Sequence, residues 1–246
     1  MKIALISDIH ANLTALEAVL AFTDEQEVDL LFCLGDLVGY GPCPNEVCER
    51  MAQYRENTVM GNHDYAVGAK DNVILETFNM SAREMCLWTR ERMSAQNMEL
   101  LQSLKMVNTF ENMTLVHSTP SKPEEWNYIF NVIQAYFTFF DFTTQICFVG
   151  HSHQPYVLEK SRDNDMRSYE DQAVEIKADC KYLINIGSVG QPRDGDPNAA
   201  VAILETKRQQ GTYRLHRIAY DISQTQQRMR ELKLPQYLID RLENGR

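Results

Sequence analysis

Residues 147–154 read CFVGHSHQ: an apolar run stops at Gly150, and His151 and His153 follow with one serine between them. A short continuous apolar run closed by glycine marks the end of a strand covered on both faces. The two histidines therefore stand where the chain leaves a sheet. The same punctuation recurs along the sequence. KIALIS (2–7) runs into Asp8 and His10, VDLLFCLG (28–35) into Asp36, NTVMG (57–61) into Asn62, His63 and Asp64, and the run before Ser118 into His117. Five of the six histidines lie at such ends. In open α/β sheets that edge is where ligands bind, because the loops leaving the strands converge there.

The stretches between these runs supply the rest of an α/β fold. NLTALEAVLAFTDEQ (12–26) opens with Asn12 as a helix cap and repeats Leu13, Leu16, Val19 and Leu20 at helical spacing. A second helix is expected over 45–54, helical structure from about 79 to 103, and a further helix over 132–141. KMVNTFENMTLVHS (105–118) reads as a hairpin turning at Glu111-Asn112. Later strands are expected at 156–160, 173–177, 182–186, 199–205 and 213–219, with a polar helix from about Ile222. SRDNDMRSYEDQ (161–172) is charged and aperiodic and reads as a mobile loop. The expectation is a single domain over 1–246, with a helical insertion at about 68–104 and a C-terminal helical segment at about 222–246.

Composition narrows the class. A chain of 246 residues with 44% hydrophobic content can bury a sizeable core. No apolar stretch approaches the roughly 20 residues of a membrane-spanning helix. The start MKIALISDIH carries an acid and a histidine where a signal peptide would stay apolar, so the expected location is the cytoplasm. The six cysteines are scattered without a C-x-x-C pair and read as reduced, structural residues. A net charge of −10 counts against long nucleic acid as a partner and leaves a small phosphorylated substrate, captured by a local positive charge.

Any one of these strand-end residues is an ordinary loop feature; their combination points to a metal site. Nitrogen and oxygen ligands without thiolate suit Mn²⁺, Fe, Zn²⁺ or Ni²⁺ and exclude iron–sulfur or four-cysteine zinc sites. The set Asp8, His10, Asp36, Asn62, His117, His151 and His153 is too large for one tetrahedral ion. Two ions fit better, with Asp36 bridging them at the ~3.5–4 Å spacing of two-metal hydrolases and room for a bridging hydroxide as nucleophile.

In order, Asp8/His10, Gly35-Asp36, Gly61-Asn62-His63-Asp64, His117 and Gly150-His151-Ser152-His153 resemble the calcineurin-like metallophosphoesterase superfamily over about residues 1–205. The resemblance implies a four-layer αββα sandwich with the dinuclear site at the sheet edges. It implies one metal on Asp8, His10, Asp36 and His153, and a second on Asp36, Asn62, His117 and His151. His63 matches the residue that contacts phosphate and protonates the leaving group, with Asp64 placed to orient it; an imidazolium beside an acid can donate near neutral pH. NIGSVGQPRDGDPNAAVAIL (185–204) looks like the bacterial branch of small, diadenosine-tetraphosphatase-like phosphoesterases. The implied activity is hydrolysis of a small phosphate mono- or diester, with nucleotides and dinucleoside polyphosphates as the expected substrates and Mn or Fe as the expected metals. Arg193 stands as a phosphate-holding residue or as a turn residue paired with Asp194 or Asp196. Tyr40, Pro42 and Pro44 either wall the pocket or start a helix. The rival function is a non-catalytic scaffold on the same fold. Oligomeric state is not legible from the sequence.

Overall fold

The computed structural model describes residues 1–69, 72–169, 173–207 and 210–246. In chain order the elements are β1 (Lys2–Ile6), α1 (Leu13–Glu25), β2 (Leu30–Cys33), α2 (Pro44–Met51), α3 (Asn62–Gly68), α4 (Met80–Arg90) and α5 (Ala95–Ser103). They continue with β3 (Val107–Phe110), β4 (Met113–Val116), α6 (Val132–Thr138), β5 (Ile146–Val149), β6 (Tyr156–Lys160), β7 (Met166–Tyr169) and β8 (Val174–Ile176). The chain ends with β9 (Lys181–Asn185), β10 (Ala199–Lys207), β11 (Gln210–Ile218), α7 (Ile222–Glu231) and α8 (Gln236–Asp240).

The strands form two mixed sheets, β2-β1-β10-β11-β8 and β3-β4-β5-β9-β6-β7. The alternation of side chains along each strand divides the core into layers. Ile3, Leu5, Phe32 and Leu34 from the first sheet meet Leu115, Ile146, Phe148 and Ile184 from the second. The opposite face of β1, with Ala4 and Ile6, packs under Leu16, Val19 and Leu20 of α1 and Val47 and Met51 of α2. Behind the second sheet, Cys147, Val149 and Leu183 pack against Ala135 of α6 and against Phe139 and Phe142. Helix, sheet, sheet and helix layers thus stack as the resemblance implies. Asn12 caps α1 by accepting from the Ala15 N–H at 3.2 Å. The thiols are unpaired, and all but Cys43 are buried. No described helix is long and apolar enough to cross a membrane.

Two local expectations change, and one left open is decided. Residues 57–61 form only isolated bridges, Thr58 to Cys33 and Val59 to Lys105, instead of a strand; the Val59 N–H donates to Cys33 O and the Met60 N–H to Lys105 O, chain segments on opposite sides. Within the charged stretch 161–172, Met166–Tyr169 is strand β7, antiparallel to β6, which supplies the hydrogen bonds that composition did not foretell; residues 170–172 lie outside the described residues. Pro44 takes the first position of α2, where its missing N–H costs nothing.

Phe148 is fully buried between the sheets. Phe148→Ala should lower unfolding stability by about 3–5 kcal/mol in a denaturant titration. A loss below about 1 kcal/mol would show that this residue does not fill the inter-sheet layer.

Candidate metal centre

The C-terminal ends of β1 and β2 in one sheet and of β4 and β5 in the other open onto one buried cluster. Backbone hydrogen bonds lock the first two loops together: the Asp8 N–H donates to Gly35 O at 3.0 Å and the His10 N–H to Asp36 O at 2.9 Å. Asp8, His10, Asp36, His151 and His153 all have φ between +48° and +66°. Left-handed backbone in non-glycine residues costs about 1–3 kcal/mol each, and such strain concentrates at functional sites. Gly35, with φ +92°, provides the turn expected of a glycine. At Gly61 and Gly150 φ is not positive and the reason is space: a Cβ on Gly61 would overlap the Asp36 carboxylate, and one on Gly150 would overlap Ser7 and Asp8.

The histidine orientations follow one rule. His10 Nδ1 donates to Val38 O at 3.0 Å, His117 Nδ1 to Leu34 O at 2.7 Å and His153 Nδ1 to Gln191 O at 2.6 Å. His151 is reversed, its Nε2 donating to Trp126 O at 3.0 Å. A carbonyl can only accept, so each bond fixes the tautomer and turns the other ring nitrogen inward. Those inward nitrogens converge. His10 Nε2 lies 3.1 Å from His153 Nε2, and His117 Nε2 lies 3.2 Å from His151 Nδ1 and 3.1 Å from Asn62 Oδ1.

The carboxylates complete the cluster. Asp8 Oδ1 is 3.2 Å from His153 Nε2, while Asp36 Oδ2 is 3.6 Å from His10 Nε2 and 3.5 Å from His117 Nε2. Each outer oxygen accepts from backbone: Asp8 Oδ2 from the His151 N–H at 3.1 Å and Asp36 Oδ1 from the His63 N–H at 2.8 Å. The inner oxygens, Asp8 Oδ1 and Asp36 Oδ2, are buried without a hydrogen-bond donor. Asp8, His10 and His153, and separately Asp8, Asp36 and His117, bring candidate ligand atoms within 4.8 Å of one another.

Burial pushes His10 and His153 down, His151 to about 3 and His63 to about 4, so all four are neutral at pH 7. Burial also opposes charge on His117, but the Asp36 carboxylate outweighs it and raises that imidazole to about 9. Burial disfavours charge on Asp36 too, yet the surrounding histidines, His117 foremost, hold it well below the usual range. Without a cation, one proton on His117 answers two desolvated carboxylates. Convergent lone pairs and undonated oxygens of this kind are what a metal ion needs, and the donor set is nitrogen and oxygen only.

Asp64 departs from its expected place. Its carboxylate accepts from the Gly61, Leu37 and Val38 N–H groups at 3.0, 2.8 and 3.2 Å, tying the Asp36 loop to the start of α3. The His63 ring does not contact it; His63 Nδ1 lies 3.4 Å from Cys86 Sγ on α4. Neighbours in a helix's first turn point in different directions, so adjacency in sequence did not become contact. His63 also differs in charge, since burial keeps it neutral where an imidazolium was expected.

Arg193 does not pair with Asp194 or Asp196: Arg217 pairs with Asp194 and lies 3.7 Å from Asp196. The Arg193 side chain instead donates to Gln191 Oε1 at 2.8 Å and sits 5.8 Å from the Tyr40 ring centroid, and its Nε is a buried donor without a partner. Sequence reasoning missed the strap 118–131, which brings Trp126 and Tyr128 to the site. Tyr128 stacks on His151 with centroids 3.8 Å apart. Left-handed Lys122 and Trp126 shape the strap, and neither residue type signals such a turn. An open cleft of about 550 Å³ runs from Asn62, His63 and His151 between Tyr40, Phe78, Trp126 and Tyr128, with Glu124 and Glu125 on its lining.

Residues 1–209 match the sequence profile of the calcineurin-like phosphoesterase superfamily domain. An uncharacterised protein of Methanocaldococcus jannaschii is 37% identical over 249 residues, covering 99% of this chain and 98% of that protein. The crystal structure of a metallophosphoesterase from Sphaerobacter thermophilus superposes with a TM-score of 0.85 at 41% identity, covering 100% of this chain and 99% of that one. A hypothetical protein from Pyrococcus horikoshii OT3 shares the fold, with a TM-score of 0.77 at 18% identity over 100% of this chain and 98% of its own.

Replacing Gly61 by Ala should destabilise the protein by about 1–3 kcal/mol in urea unfolding, because the new methyl group must displace the Asp36 carboxylate. An unchanged midpoint would mean that the two loops do not abut as described.

Proposed function

The chain belongs to the calcineurin-like phosphoesterase superfamily, and on that premise we propose that it hydrolyses small phosphate mono- or diesters of the nucleotide class with two bound metal ions. The observation that carries the reading is the convergence of four neutral or neutralisable histidines on two undonated carboxylate oxygens, Asp8 Oδ1 and Asp36 Oδ2. Asp8, His10, Asp36 and His153 would hold one ion, and Asp36, Asn62, His117 and His151 the other. Mn and Fe suit this donor set, as do Zn and Ni. When bound, the ions supply Lewis acidity toward a phosphoryl oxygen and a water nucleophile activated at neutral pH.

The protein's own groups then do three things. Arg193 offers a buried guanidinium donor to a phosphate oxygen, with its neighbouring carboxylates already engaged by Arg217. The Asn62 side-chain amide, at the mouth of the cleft, aids the charge that builds on the transferring group. His63, with Nδ1 against Cys86, keeps Nε2 for the leaving oxygen, and a phosphate dianion beside it raises its affinity for the proton it delivers. Asp64 acts through position alone, by holding the loops of Asp36 and His63 in register.

The cleft supports the substrate class. Four aromatic side chains form walls that suit a flat, apolar group such as a nucleobase. On the same lining Glu125 is paired with Lys122, and the Glu124 carboxylate disfavours a further anionic chain there, which favours a nucleoside leaving group over a polyphosphate. The unpaired thiols fit a reducing compartment, and we place the protein in the cytoplasm.

Asp36→Asn should lose both metal content and turnover, read by elemental analysis and by release of phosphate from a nucleotide. Full metal loading with wild-type turnover in that variant would contradict the assignment. His63→Gln should keep its metals and lose about 10²–10⁴ in kcat on an alkyl ester, with a smaller loss on p-nitrophenyl phosphate, whose leaving group needs no proton. Equal losses on both esters would remove His63 from the proton-donor role.

A further inference from the structure

Helix α6 and the residues around it carry apolar side chains on two faces. Ala135, Phe139 and Phe142 turn inward against the second sheet. On the outside, Phe130, Val132, Ile133, Phe137 and Phe140 are 68, 61, 71, 63 and 64% exposed. Ile133, Phe137 and Phe140 follow one another at i, i+4 and i+7, one stripe along the helix and the turn after it. A helix that is apolar all round is normally buried all round. At 150–250 Å² for a whole aromatic side chain, these exposures leave roughly 600 Å² of apolar surface, at the upper edge of the largest patch on a typical monomer.

The patch is built, with its rings held in place. The Lys160 ammonium, on a residue only 8% exposed, lies 4.8 Å from the Tyr136 ring centroid and 4.2 Å from that of Phe140. Tyr136 in turn meets Phe137 and Phe140 edge-on, with centroids 5.8 and 5.4 Å apart. At the other end Phe130 stacks on Tyr128 at 4.7 Å and 12°.

We propose that this face, centred on Phe130, Ile133, Phe137 and Phe140, joins two copies of the chain in an isologous dimer. Charge selects the occupant. Residues 126–140 contain no charged side chain, although 24% of the chain is charged, and the net charge is −10. Two copies repel over most of their surfaces and can approach closely where that charge is missing. Area agrees: a standard interface buries about 800 Å² per partner, of which an apolar centre of roughly 600 Å² with a polar rim is a full complement. A flat stripe of Phe and Ile packs on its own two-fold image without needing a second, complementary surface. A lipid surface fits less well, because the flanking sequence carries Glu124, Glu125 and Asp141 against the one cation Lys122, where a membrane-binding helix carries a surplus of Lys or Arg.

The test is the mass of the full chain at micromolar concentration by sedimentation velocity. The unmodified protein should sediment at twice the chain mass. The Ile133→Glu/Phe137→Glu double variant and, separately, Phe130→Asp should run as monomers with unchanged circular dichroism. Met80→Glu, an exposed change on α4 outside the patch, should stay dimeric. A monomeric unmodified protein, or a dimer that survives both sets of changes, would overturn the proposal. So would a monomer that co-sediments with phosphatidylcholine vesicles, which would make lipid the occupant.

Discussion

The structure depends on holding two carboxylates and four imidazoles, stripped of water, with their lone pairs facing one another. Left alone, that arrangement is repulsive, and each buried group without a partner carries a desolvation penalty. The fold tolerates it through the backbone. Main-chain carbonyls fix every inward-facing histidine by its outer nitrogen, and main-chain N–H groups fix the outer oxygen of each aspartate. The left-handed φ values at five of these positions are part of the same cost, accepted because the two-sheet core over-determines the loops. A cation resolves the repulsion, and the His117 proton is its counterpart in a metal-free site.

The sandwich makes the cluster possible by geometry. Two sheets packed through Ile3, Leu5, Phe32, Phe148 and Ile184 bring four strand ends from different sheets to one edge. Asp36, on the β2 loop, lies between ligand groups drawn from both sheets, which is why one carboxylate faces His10 from its own sheet and His117 from the other. The cleft over this edge is walled by parts of the chain that the sheets do not supply: Phe78 before α4, and Trp126 and Tyr128 from the strap. The buried cluster and the cleft over it thus come from different parts of the fold, the first from strand ends and the second from helices and irregular backbone.

Much of this was legible in the sequence, for reasons that differ by element. The strand ends were legible because an apolar run, a glycine and a polar residue form a local pattern, and the hairpin because two β-rich runs meet at Glu111-Asn112. Residues 57–61 looked like a strand by composition, but pairing is decided by neighbours, and there only single bridges form. Strand β7 was hidden for the converse reason: it lies inside a charged, aperiodic stretch, its residues Met166–Tyr169 are half-buried or exposed, and only its partner β6 makes it a strand. The strap was illegible because two non-glycine residues, Lys122 and Trp126, take left-handed backbone. Asp64 and Arg193 show the limit of reading roles from order along the chain. The first turned out to bind backbone, and the second was released by Arg217, a residue on β11 that no local motif connects to it.

The central claim is that the cluster around Asp36 exists to hold two ions. An anomalous difference map from crystals grown with Mn²⁺ tests it most directly. The account predicts two peaks on either side of Asp36 Oδ2, one among Asp8, His10 and His153 and the other among Asn62, His117 and His151. A single peak, or peaks away from these side chains, would contradict it.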